Sequence, residues 1–244
     1  MSRAQLARSN KTEDIPLARR SSPLRRPTRR EVSLILLLSG GLATFLILPL
    51  TLSPGLRRSL LFFTGQAAPT SDGRLLGHYP YPEALTKNLV SVYPGLEVHK
   101  DTYKALNAMS AAASASGIDL VLLSGYRSHD LQRQIFYGRK SARNQIAIER
   151  AKVSAPPGHS EHSTGYAIDL GDATMRHTDF EVEFENTKAF RWLQRNAAKY
   201  HFVLSFPKGN SQKVSYEPWH WRFEGTVEAL RQFEPANETL RKQL

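Results

Sequence analysis

A chain of 244 residues has room for one catalytic domain plus accessory segments, and the absence of cysteine excludes disulfides and thiolate metal sites. The 33 Lys and Arg outweigh the 22 Asp and Glu to give a net charge of +11. Residues 1–31 hold nine basic and three acidic side chains, so +6 of that excess sits in one tail. A basic tail fits either nucleic acid or an anionic membrane surface, and the segment that follows it favours the membrane over nucleic acid.

Residues 1–31 are rich in Arg, Ser and Pro and lack helical periodicity, which reads as a disordered cytoplasmic tail. Residues 32–52, VSLILLLSGGLATFLILPLTL, carry no charge, and at about 1.5 Å per residue they reach roughly 30 Å, enough for a single transmembrane helix. A buried core helix and a cleavable signal are the alternatives. The first lacks the expected polar stripe, and the second should have a shorter apolar region. The Arg-rich side should remain in the cytoplasm, which puts everything after the span outside. Residues 53–76 form a juxtamembrane segment and linker, 77–233 a folded domain, and 234–244 a polar, frayed C-terminal tail.

Within the domain, Asp101–Ser116 reads as a helix with Tyr103, Leu106, Ala111 and Ala113 facing inward and Gly117 as its stop. Ile118–Leu123 is a short apolar run typical of a buried strand. Ser128 can cap a helix that ends at Gly138, and another covers Ala142–Val153 before Pro156-Pro157. Asn186–His201 places Phe190, Leu193, Ala197 and Tyr200 at helical spacing. Phe202–Phe206 and Trp219–Phe223 read as strands, and Gly225–Phe233 as a closing helix. Short strands and helices without regular alternation favour an α+β fold, a small antiparallel sheet flanked by helices.

The chemistry gathers around PPGHSEHSTGYAIDL, residues 156–170. Ser160, His162, Gly165, Ala167 and Asp169 stand in the order S-x-H-x-x-G-x-A-x-D. Gly165 permits a tight turn between His162 and a strand Tyr166–Leu170 whose alternation puts Ala167 and Asp169 on one face. An imidazole and a carboxylate are both zinc ligands, and a catalytic zinc takes three protein ligands and keeps one position open. YEPWHWRF, residues 216–223, offers His220 as the third ligand. Glu217, three residues earlier, is placed to act as a base, with the rings of Trp219 and Trp221 as walls. Arg127, in the strand-to-helix loop SGYRS, offers a planar fork for a carboxylate, and Gln132 could face the same cleft. Each of these residues alone is more often structural, and the strength lies in their combination. His78, His99, His129, His159, His177 and His201 keep no such company.

The three motifs together, SGYRS with Gln132, S-x-H-x-x-G-x-A-x-D and E-P-W-H-x-R, resemble the VanY-type D-alanyl-D-alanine carboxypeptidases. These are zinc peptidases of bacterial peptidoglycan, in the fold group shared with lysostaphin-type peptidases and the hedgehog signalling domain. The resemblance spans roughly Gly77–Phe233. It implies Zn²⁺ bound by His162, Asp169 and His220, Glu217 as general base toward a zinc-bound water, and a carboxylate pocket of Arg127, Gln132 and Ser160. It also implies a substrate, the terminal D-Ala of stem peptides, and a site of action on the outer side of a bacterial membrane. An L,D-carboxypeptidase acting on tetrapeptides and a non-catalytic zinc module that binds the wall are the rival expectations.

Overall fold

A computed structural model of the chain describes residues 67–241. The basic tail, the expected span and most of the expected linker lie outside these residues. Among the described residues, no helix is long and apolar enough to cross a membrane.

The elements in chain order are β1 (Leu89–Tyr93), β2 (Leu96–His99), α1 (Lys100–Ala115), β3 (Leu120–Ser124), α2 (His129–Ala142), α3 (Ala147–Ala151), β4 (Ala167–Asp172), α4 (Lys188–Asn196), β5 (Phe202–Leu204), β6 (His220–Phe223) and α5 (Val227–Arg241). β1 and β2 form an antiparallel hairpin, and the other four strands form an antiparallel sheet in the order β3-β4-β6-β5. This is the α+β arrangement read from the sequence.

β4 lies between β3 and β6 and is buried along its whole length. Its alternation sends Ile168 and Leu170 into the hydrophobic core. They belong to one buried cluster with Phe190 and Leu193 of α4 and Trp221 and Phe223 of β6. Ala167 and Asp169 take the opposite face. On α1 the buried stripe is Thr102, Leu106, Met109 and Ala113, so Ala111 faces solvent, contrary to expectation. The stripe follows an i, i+4, i+7 spacing that position 111 does not share.

Several boundaries differ from the sequence reading, among them the end of α4 at Asn196, where the helix was expected to reach His201. α2 runs past Gly138 to Ala142, and the helix expected over Ala142–Val153 shrinks to the single turn of α3. α5 continues through Pro235 to Arg241, where a frayed tail was expected beyond Phe233. Burial of Ala236 and a hydrogen bond from the Tyr79 hydroxyl to Thr239 Oγ1 hold this extension, so tertiary contacts offset the cost of an interior proline.

Gly165 ends the turn before β4 at φ +72°, and a Cβ there would meet His99 N at 3.0 Å and Leu89 Cδ2 at 3.1 Å. A Gly165→Ala variant should therefore lose about 1–2 kcal/mol from the left-handed backbone alone. Thermal denaturation should show a midpoint lower by a few degrees, and an unchanged midpoint would contradict this account of the turn.

Candidate metal centre

Register and one turn assemble the site. Asp169 on β4 pairs directly with His220 on β6, and Ala167 pairs with Arg222. Directly opposed residues share a face, so the acid and the imidazole meet on the side of the sheet away from the core. His162 arrives on the short 3-10 turn Glu161–Thr164 that precedes β4. The ligand atoms of His162, Asp169 and His220 all lie within 4.8 Å of one another, and all three side chains are buried. The two imidazole rings stand edge to face with centroids 4.8 Å apart.

Hydrogen bonding tests whether this cluster fits a cation. His162 Nδ1 is 2.7 Å from Gly125 O, and a carbonyl can only accept, so Nδ1 carries the proton. That leaves Nε2 with a lone pair 3.2 Å from Asp169 Oδ2 and no hydrogen-bond partner. Two acceptors this close repel each other unless a positive ion lies between them. Burial, reinforced by the Arg127 charge, lowers the His162 pKa to about 4, so a proton does not fill that role at neutral pH. His220 Nδ1 lies 3.0 Å from Asp169 Oδ1 and its Nε2 lies 2.9 Å from Glu161 Oε2. Burial opposes protonation of this ring, but the two carboxylates outweigh it and raise its pKa to about 10. Asp169 is held below the ordinary carboxylate range, since the two histidines outweigh the effect of its burial. Two nitrogens and a carboxylate, each imidazole anchored through its other nitrogen, make a donor set suited to a zinc-like divalent ion.

The register of β3 on β4 shifts between Leu122 and Ser124, which brings Ser124 opposite Asp169 and starts the next loop beside the cluster. Gly125 then passes so close to β2 that a Cβ would meet Glu97 O at 2.2 Å. Tyr126 N donates to that same carbonyl and Arg127 N to His162 O, which fixes the loop against the turn. Arg127 Nη2 lies 3.7 Å from Asp169 Oδ2, and Nη1 donates to Gln132 Oε1 at 3.3 Å. Its Nε is buried without a partner. Gln132 is buried and donates to Ser154 Oγ and Ala155 O, so its amide is oriented from behind. Ser160 is buried just before the turn and its hydroxyl makes no capping bond to it.

Glu217 sits in a tight turn closed by His220 N donating to Glu217 O, and its own N–H donates to Phe206 O. Its carboxylate reaches within 3.9 Å of His220 Nδ1. Burial raises its pKa to about 7, with His220 opposing the shift. The tryptophan walls expected from the sequence are not formed. Strand alternation turns Trp221 into the core, where it packs on Phe190 and donates to Pro218 O. The Trp219 ring packs on the core and stands edge-on to Phe180.

Two residues to which the sequence reading gave no role complete the site. Glu161 and Arg222 are both buried behind His220, and Arg222 Nη1 donates to Glu161 Oε1 at 3.0 Å. Arg222 had a signal, because period two from His220 puts it on the same face of β6. Glu161 had none beyond its place between Ser160 and His162.

The family model for VanY, D-alanyl-D-alanine carboxypeptidase, matches residues 95–226, more than half of the chain and every element of this site. The chain belongs to the VanY family. It is 39% identical over 132 residues to the Bacillus subtilis protein YodJ, covering 52% of this chain and 46% of that one. It thus spans about half the length of the curated relatives it matches. Among solved structures it resembles the LD-carboxypeptidase LdcB, with 29% identity and a TM-score of 0.53 over 72% of this chain and 79% of that one. It also resembles a mutant of the vancomycin-resistance D,D-pentapeptidase VanY in complex with Zn(II). There identity is 25% and the TM-score 0.52, over 66% of this chain and 94% of that one.

Proposed function

We propose that this VanY-family chain is a zinc D-alanyl-D-alanine carboxypeptidase that removes the terminal D-Ala from peptidoglycan stem peptides. The observation that carries this reading is the unpartnered Nε2 of His162, facing Asp169 beside His220 and flanked by Glu217 and Arg127. His162, Asp169 and His220 would hold the ion. Zn(II) bound there supplies Lewis acidity, which polarises the scissile carbonyl and acidifies water.

The remaining work falls to side chains of the chain itself. Arg127 receives the substrate's free carboxylate, for which its buried, unpaired Nε is a ready donor, and Gln132 keeps the guanidinium in place. Glu217, with a pKa near 7, takes a proton from the attacking water and passes it to the departing amine. The carbon–nitrogen bond then breaks and free D-Ala leaves. A clamp that requires a free carboxylate confines cleavage to the last peptide bond.

Residues 32–52 would tether the domain on the outer face of a bacterial membrane, a reading supported by their uncharged run and by the basic residues before it. An L,D-carboxypeptidase is the second reading, favoured by the likeness to LdcB. Stem pentapeptide and tetrapeptide given in parallel to the purified, zinc-loaded chain distinguish the two. Release of D-Ala from the pentapeptide is expected. Release from the tetrapeptide alone would assign the L,D activity, and release from neither, with zinc bound, would turn the reading to a wall-binding module.

A further inference from the structure

Behind His220 lies a buried polar network that the proposed chemistry does not use. Glu161 Oε2 accepts from His220 Nε2 at 2.9 Å and from Ser205 Oγ at 2.6 Å. Its Oε1 accepts from Arg222 Nη1 at 3.0 Å and from Tyr81 OH at 3.4 Å. Arg222, with no exposed surface, also donates from Nε to Glu224 Oε1 and from Nη2 to Asn237 Oδ1, both at 2.6 Å. Its guanidinium lies over the Phe233 ring at 5.1 Å. Every oxygen of Glu161 is therefore used, and the carboxylate cannot rotate without breaking two bonds at once.

A buried ion pair is weak as a source of stability, since desolvating both charges consumes most of their attraction. Apolar side chains of similar size would fill this space at little cost, so the charges need another explanation. Their geometry supplies one. The carboxylate touches the outer nitrogen of His220, and Asp169 faces the inner one. We infer that Glu161, clamped by Arg222 and Ser205, is the positioning residue that keeps a proton on His220 Nε2 and turns Nδ1 toward the metal position. This inference rests on the zinc reading of the site. Gly125 O performs the same task for His162. One imidazole is thus anchored by a neutral carbonyl and the other by a carboxylate, which also raises the basicity of the ligand it orients.

The network ties the metal position to α5, because Asn237 and Phe233 hold Arg222 while Arg222 holds Glu161. The extension of α5 through Pro235 therefore contributes to the site as well as to the core.

The test uses the purified full chain and measures Zn(II) affinity by competition with a chromophoric chelator. Glu161→Gln removes the charge, and Glu161→Leu combined with Arg222→Met removes the pair without leaving a buried ion alone. Both variants should fold with unchanged circular dichroism and bind zinc about 10–100-fold more weakly, the usual effect of losing a partner of a metal-bound histidine. Either folded variant binding zinc as tightly as the unmutated chain would overturn the inference. If neither folds, long-range ¹H–¹⁵N spectra of the unmutated zinc-loaded chain decide it. His220 should carry its proton on Nε2 and its metal-shifted signal on Nδ1, and the reverse assignment would overturn the proposal. Failure of the unmutated chain to take up zinc would instead overturn the zinc reading, and this inference with it.

Discussion

Glu217→Ala is expected to lower kcat by about 10²–10⁴-fold while leaving stoichiometric zinc in place. The two halves of this expectation come from different distances. Glu217 is near the cluster, 3.9 Å from His220 Nδ1, but the ligand atoms converge without it. It is also raised to about 7 by burial, so near neutral pH it can both accept and return a proton. A carboxylate at its ordinary value would be a weaker base and a poor donor to the departing amine. Glu217→Gln should behave like the alanine variant, because the amide keeps the shape and loses the proton. Both should retain KM within a few-fold, since the clamp is untouched. Metal analysis and steady-state D-Ala release on the same preparation check the claim. Loss of zinc in Glu217→Ala would make this residue a ligand, and retained kcat would move the base elsewhere.

What the sequence revealed and what it hid divide along physical lines. The turn and strand around Gly165 were legible because local rules set them: a residue free to take φ +72°, then a strand with alternating faces. That Asp169 would stand opposite His220 is a matter of register between strands about fifty residues apart, and no local rule encodes it. His220 is legible only as a candidate third ligand, because a catalytic zinc needs three. The β1–β2 hairpin has a local mark in Pro94-Gly95, a turn pair between alternating residues with Gly95 at φ +78°. Glu161 read as one more acid in a polar motif. Its role exists only because Arg222, Ser205 and His220 come from β6 and the chain after β5, and packing alone brings them together. The tryptophans erred the other way. They flank His220 in sequence, but neighbours on a strand point to opposite faces, so adjacency argued against their walling the site.

Arg127→Ala is expected to reduce kcat/KM on free-acid peptides by about 10²–10³-fold, equivalent to about 3–4 kcal/mol, the scale for losing charge-assisted hydrogen bonds in a buried site. The loss should fall mainly on KM, because the clamp holds a group that does not react. Structure predicts that the loop survives. Its backbone stays bonded to Glu97 and His162, and Gln132 keeps its own donors on Ser154 and Ala155. Zinc should remain, since Arg127 approaches Asp169 only at 3.7 Å and is not one of the converging ligands. Arg127→Lys keeps the charge but replaces a planar fork by a single ammonium, so it should recover only part of the loss. The decisive comparison is between free-acid and C-terminally amidated peptides. The unmutated chain should strongly prefer the free acid, and Arg127→Ala should cleave both at similarly low rates, because the group that told them apart is gone. Equal cleavage of the two by the unmutated chain would mean that Arg127 does not read the terminus, and the proposed restriction to the last peptide bond would lose its physical basis.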